Sequence, residues 1–190
     1  MPVHPAMTLQ SPITGPIYRV GDRISSDDIL SPLYLSFDLE QPDERKILAD
    51  YAFQPLENTF GSFKKPGAPS SPYKIILAGQ QFGHGSARPH PVIALAEAGI
   101  TAIIAKSFAD GFYRACVNEG TILPIILAKT SDNDPTPNFP QSGDQITINL
   151  IKGNITWGEN NQHPIEPLGV IIDIYNQGGL RHFSSQATPQ

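Results

Sequence analysis

The residues of this chain that could do chemistry crowd onto one short stretch, GQQFGHGSARPHP, from Gly79 to Pro91. It combines three glycines with a hydroxyl at Ser86, a guanidinium at Arg88 and imidazoles at His84 and His90. A serine oxygen can cap a helix or, if activated, take a proton. A guanidinium presents a planar fork that suits a carboxylate or a phosphate. Glycines let the backbone approach a ligand closely. The stretch lies between two apolar runs, KIILA (74–78) and VIALAEAG (92–99). If these are a strand and a helix, the unpaired N–H groups and dipole at the helix start favour an anion. Open α/β sheets bind ligands at that edge. The stretch therefore reads as an anion-binding turn with a hydroxyl beside the anion. The competing assignment is a βα connection that uses glycine only to turn tightly.

Three familiar phosphate or nucleophile motifs fit the letters poorly. A P-loop requires a lysine after its glycines, and none follows here. GHGSAR lacks the third glycine of a dinucleotide fingerprint, and the next apolar run ends in Ala105-Lys106 rather than an acidic residue. A hydrolase elbow, G-x-S-x-G, fails because Gly85 directly precedes Ser86.

The elements that must position this turn follow from periodicity. KIILA, TAIIA (101–105) and ILPIIL (122–127) read as buried strands. VIALAEAG reads as a helix, with Pro89 or Pro91 in its first turn and Gly99 at its end. SFADGFYRACVNE (107–119) reads as a second helix, with Ser107 as N-cap, Asp110 completing a shortened capping box, and Gly120 as the stop. Strand, helix, strand, helix, strand with short connections predicts a parallel α/β unit with right-handed crossovers. IYRV (17–20) predicts a further strand, and DERKILADYAF (43–53) carries a helix on Ile47, Leu48 and Tyr51. QITINLI (145–151) and GNITW (153–157) predict an antiparallel hairpin, and VIIDIYNQGG (170–179) a last helix.

The chain has 190 residues, a net charge of −5 and 16% charged residues. No basic run exceeds Lys64-Lys65, which argues against a nucleic-acid face. No apolar stretch approaches a membrane span, and the first residues lack the charge and apolar core of a secretory signal. A cytoplasmic location is expected. The single cysteine, Cys116, precludes an internal disulfide and cannot alone supply the thiolates of an iron–sulfur cluster; inside a helical pattern it reads as a buried, inert thiol. Many of the 19 prolines lie in residues 55–73 and 131–143, which read as surface loops. Residues 1–16 and 184–190 read as tails around one domain, 17–183.

GHGSARPH, followed by VIALAEAGITAIIAKSFADGFYRACVNEGTILPI, resembles the small subunit of 3-isopropylmalate dehydratase, the stand-alone form of the swivelling C-terminal domain of aconitase. GDRISSDDI (21–29), Tyr34-Leu35, SGDQITINL and Gly178-Gly179-Leu180 fit the same family in the same order. The resemblance implies an α/β, single swivelling β/β/α domain with a mostly parallel central sheet and a C-terminal β-hairpin. It implies a hydro-lyase subunit of leucine biosynthesis that interconverts 2- and 3-isopropylmalate by dehydration and rehydration. The chain would bind no cofactor alone and would close over a large partner subunit carrying a 4Fe-4S cluster, the Lewis acid for the departing hydroxyl.

The resemblance also implies roles. Ser86 matches the base, working as an alkoxide that backbone N–H groups and Arg88 must stabilise. Arg88 matches the arginine that binds substrate carboxylate, Asp27 an acidic residue supporting the site, and His90 a histidine expected to orient the loop. Ser36, just after Tyr34-Leu35, occupies the position that helps choose the substrate side group. With no arginine there, an apolar isopropyl group fits better than a third carboxylate. Each role has a plainer competitor: a helix cap for Ser86, a surface ion pair for Arg88, and a turn or cap for Asp27.

Departures from the family pattern gather at the turn. Ala87 stands for a second serine, leaving only its backbone N–H for substrate. Pro89 stands for an acidic residue, and Ser25-Ser26 for Asp-Thr. His84 is either a substrate contact or a loop residue with a structural partner. The alternatives are a related dehydratase of homoaconitase or aconitase type, a non-catalytic partner-binding paralogue, or a phosphate-binding module.

Overall fold

The computed structural model describes residues 12–130 and 138–186. Its centre is the parallel unit that the apolar pattern predicts. Strands β1 (Ile13–Arg19), β2 (Ile75–Ala78), β3 (Ala102–Ala105) and β4 (Leu123–Ile126) lie side by side and parallel. Between β1 and β2 come three helices, α1 (Ser26–Ile29), α2 (Pro42–Asp50) and α3 (Glu57–Phe60). Helices α4 (His90–Glu97) and α5 (Asp110–Glu119) make the crossovers from β2 to β3 and from β3 to β4. Each crossover moves one place in the same direction across the sheet, so helices of one hand collect on one face. There Val92, Leu95, Phe112 and Cys116 pack on Tyr18, Ile76, Ile103 and Ala105.

The rest of the sheet folds over the opposite face. β5 (Gln145–Asn149), β6 (Asn154–Trp157) and β7 (Asn161–Pro164) continue the order β4-β3-β2-β1-β5-β6-β7, all antiparallel. The predicted hairpin is β5–β6. The third strand, NQHP, has no apolar alternation to announce it; only His163 on it is buried. Beyond β7 the chain meets the far edge of the sheet, where Glu166 N–H donates to the Ile126 carbonyl (2.8 Å) and Ala128 N–H to that of Pro164 (3.1 Å). The seven strands thus curl into a nearly closed wall around Ile17, Ile75, Leu77, Ile104, Ile125, Ile146, Ile148 and Ile155. Burying each such side chain contributes about 1.5–3 kcal/mol relative to leaving it exposed. Four parallel strands stand at the centre as expected, and the antiparallel share exceeds one hairpin.

Several boundaries differ from the sequence reading. Strand β1 begins at Ile13, four residues before the expected IYRV, because residues 13–16 pair with β5. After α6 (Ile171–Asn176), a helix α7 (Leu180–Gln186) runs into the expected C-terminal tail. Ser107 is not a helix cap: α5 starts at Asp110 with Ala109 at its N-cap. Ser107 Oγ instead accepts the Gln81 N–H (2.9 Å), and a bridge between Phe82 and Phe108 keeps the segment extended. The proline-rich segment 55–73 is no free surface loop. Phe63 is buried in an aromatic group with Tyr18, Phe53 and Tyr73, and Tyr18 Oη donates to the Gly61 carbonyl (2.8 Å). Of the segment 131–143, residues 131–137 lie outside the described residues, whereas Phe139 stacks on Trp157 (5.5 Å between centroids). Among the described residues no helix is long and apolar enough to cross a membrane.

Candidate active site

The turn joins β2 to α4 at the carboxyl edge of the parallel strands, and its backbone is sewn on both sides. On one side, Arg23 N–H donates to the Gln80 carbonyl (2.7 Å), Gly83 N–H to that of Ile24 (2.8 Å), and Ser26 N–H to that of His84 (2.7 Å). On the other, Phe82 N–H donates to the Ser107 carbonyl (3.0 Å) and Ala109 N–H to that of Phe82 (2.9 Å). Residues 79–84 are therefore held by single bridges on both sides, Phe82 to Phe108 and His84 to Ser25, with left-handed turns at Gln81 and Gly83 between them. Glycine at 83 is required twice: φ is +78°, and a Cβ there would overlap the Phe112 ring.

Ser86 owes its position to a residue sixty places earlier. The Ser26 hydroxyl is buried at the start of α1 and accepts the Ser86 N–H (2.9 Å). Gly85, at φ +107°, brings its backbone over that oxygen, and a Cβ would stand 3.0 Å from it. Ser25 caps α1 in a reciprocal box with Asp28: its Oγ accepts the Asp28 N–H (3.0 Å), and its own N–H donates to the Asp28 carboxylate (2.8 Å). The Ser25-Ser26 pair that departs from the family pattern thus keeps both oxygens in use. Ser26 as the support of Ser86 was not foreseen; its adjacency to the matched Asp27 was the only available signal.

Ser86 itself is half-buried, and its Oγ accepts the Arg88 N–H at 3.4 Å. α4 starts at His90 with Pro89 at its N-cap, so Ser86 does not cap it. The N–H groups of Gly85, Ala87 and His90 have no acceptor among the described residues. Arg88 is exposed, with no ion-pair or hydrogen-bond partner for its guanidinium among them. Ala87 is exposed, and its Cβ lies against Gly111 at the start of α5, where an added Cβ would come within 2.9 Å. Asp27 is exposed on α1, beside the serine that holds the turn. His84 carries a structural bond, Nε2–H to the Arg23 carbonyl (3.0 Å), so at most its other nitrogen is free for a ligand.

His90 reaches away from the turn and donates from Nε2 to the Phe37 carbonyl (3.1 Å). It so ties Ser36 and Phe37 to the head of α4. Tyr34 stacks on Tyr51 (3.9 Å between centroids), bracing the same segment from α2. Ser36 is exposed, and Leu33 beside it is 81% exposed. Serine, arginine, the Ser36 segment and Asp27 thus all belong to elements bonded to one turn.

The residues do not fit an iron–sulfur cluster within this chain. Cys116 is fully buried in α5, where desolvation pushes its thiol far above the ordinary range. Among the described residues no group of three or more His, Cys, Asp or Glu could hold a metal ion.

Fold and turn together define a class: a curled α/β domain presenting a serine and an exposed arginine at a glycine-rich strand-to-helix turn. Residues 65–130 match the aconitase C-terminal domain. The chain is 33% identical over 171 residues to the 3-isopropylmalate dehydratase small subunit of Metallosphaera sedula, covering 90% of this chain and 95% of that one. It is 35% identical over 173 residues to the methanogen homoaconitase small subunit of Methanothermobacter thermautotrophicus, covering 88% of each. The crystal structure of 3-isopropylmalate dehydratase (leuD) from Methanocaldococcus jannaschii superposes with a TM-score of 0.71 at 32% identity, covering 93% of this chain and 95% of that one. The chain belongs to the 3-isopropylmalate dehydratase small-subunit family, within the aconitase-type hydro-lyases.

Proposed function

We propose that this chain is the small subunit of a heteromeric dehydratase that interconverts 2- and 3-isopropylmalate, with Ser86 as base and Arg88 as carboxylate ligand. One arrangement carries the reading: a serine fixed through its own N–H by buried Ser26, next to a guanidinium without a partner among the described residues. Dehydration removes a proton from the carbon beside a carboxylate and hydroxide from the adjacent carbon. Ser86 Oγ takes that proton and returns it in the rehydration step. Arg88 holds the carboxylate so that the C–H faces Oγ. An ordinary serine hydroxyl does not ionise near neutral pH. The unused N–H groups of Gly85, Ala87 and His90, with Arg88, supply the favourable potential an alkoxide needs.

In the chain alone Oγ receives one long hydrogen bond, so activation is completed when a large subunit covers the turn. The resemblance assigns the cluster to that subunit. Asp27 and exposed Leu33 flank the surface to be covered. At the side-group end, Ser36 brings no cation for a third carboxylate, which favours an isopropyl group over the homocitrate type.

The test is dehydration of 2-isopropylmalate by the chain assembled anaerobically with its large subunit. Ser86→Ala is expected to lower kcat by on the order of a thousandfold, and Arg88→Lys to raise KM, with the complex intact in both. Higher kcat/KM for homocitrate would move the reading to a homoaconitase. Undiminished turnover by Ser86→Ala would remove Ser86 as the base.

A further inference from the structure

One cavity carries charged groups that the proposed reaction leaves unused. It encloses about 690 Å³ at the carboxyl ends of β1, β2, β3 and β4, and no residue from 80 to 91 lines it. The inner face of the curled sheet explains its chemistry. Alternate residues of a strand share a face. β1 points Ile17 inward and then Arg19; β2 points Ile75 and Leu77, then Gly79; β3 points Ala102 and Ile104, then Lys106. The apolar interior therefore ends in two cations on successive inward positions: Arg19, in register with Leu77, and Lys106, one inward position further on beside Gly79. Lys106 N–H donates to the Gly79 carbonyl (3.1 Å), so these two are ladder neighbours.

The missing side chain at Gly79 lets Asp22 fold against the backbone there, where a Cβ would overlap its carboxylate. Its Oδ1 accepts the Gln80 N–H (2.7 Å). Arg19 is half-buried and donates from one terminal nitrogen to the Phe139 carbonyl (3.1 Å), which holds the guanidinium at the mouth. Lys106 is exposed, and its ammonium has no partner among the described residues. Two cations thus face one carboxylate that is already engaged. Polar and apolar surface share the walls about equally, with Phe60, Leu127 and Phe139 on the apolar part. Cavities of this volume that combine an apolar surface with convergent polar groups suit small organic ligands.

We propose that this mouth is a second binding site, for a small organic carboxylate with a short apolar body. The carboxylate sits between Arg19 and Lys106, and the hydrocarbon lies against Phe60 and Phe139. The site does not depend on the dehydratase reading. Titration of the isotope-labelled full chain with 3-methylbutanoate, followed by amide NMR, tests it. Saturable shifts are expected at Gly79, Lys106 and Ser142. Lys106→Met, at an exposed position, is expected to weaken them about tenfold, and Ser86→Ala to leave them unchanged. Shifts confined to residues 83–88, shifts lost in Ser86→Ala but kept in Lys106→Met, equal binding of the neutral 3-methylbutanamide, or no saturable shift would each overturn the proposal.

Discussion

The imidazole of His90 donates to the main-chain carbonyl of Phe37 at 3.1 Å, binding the head of α4 to the segment carrying Ser36. The other ring nitrogen, Nδ1, is buried with no donor among the described residues. The ring is thus committed to one bond, and that bond crosses fifty-three residues of sequence. His90→Ala releases the Ser36 segment without touching Ser86. The expected result is a roughly tenfold rise in KM with a much smaller fall in kcat. His90→Gln, whose amide nitrogen reaches the position of Nε2, should recover most of the loss. Steady-state kinetics of the assembled enzyme separate this from general destabilisation, which would lower both parameters and defeat rescue.

Ser26 acts on the same site through the backbone. Its hydroxyl satisfies the Ser86 N–H, and its own N–H holds the His84 carbonyl. Ser26→Ala leaves the Ser86 N–H without its acceptor, at a cost of about 1–3 kcal/mol. A urea melt should show that loss, and kcat should fall by at least tenfold as Ser86 loses its position.

Gly83→Ala offers a harsher contrast. It forces a side chain into a left-handed conformation and against the Phe112 ring. Overpacking of this kind costs about 1–3 kcal/mol, and the strained backbone adds to it. The melting temperature is expected to fall by several degrees, with the turn at 79–91 losing hydrogen-exchange protection before β2 and β3.

The aromatic group under segment 55–73 predicts an alkaline limit. Burial, with smaller contributions from Tyr73 and Glu57, raises the Tyr18 phenol from 10.0 to about 12. Tyr34, Tyr113 and Tyr175 are raised too, each mainly by desolvation. A phenol whose folded pKa exceeds its unfolded value contributes stability that is complete below the unfolded pKa and is lost as pH rises through the folded one. Stability should therefore be insensitive to these groups below about pH 10 and decline from there towards about 12. Tyr18→Phe should flatten part of that decline in denaturant melts across this range, while giving up the hydrogen bond to Gly61.

Much of this was legible in the linear chain because it depends on neighbours. Buried strands, the α4 stop at Gly99 and the turn between KIILA and VIALAEAG follow from local periodicity and glycine chemistry, and the structure places them as read. Ser107 misled for the same local reason. A serine three residues before an aspartate looks like a cap, yet its oxygen was taken by Gln81 from another strand's turn. β7 escaped because an edge strand with one buried residue has no pattern to show.

By itself the sequence determined the βαβαβ unit, the glycine-rich turn and the residue types on it, since periodicity, turn chemistry and motif order are properties of adjacent residues. Only the tertiary structure decided which distant groups complete the site. Ser26 beneath Ser86, Phe37 under His90, and Arg19 and Lys106 at one cavity mouth are set by strand register and by how the helices dock. Those pairings arise from packing the two sides of one curled sheet, and no local stretch encodes them.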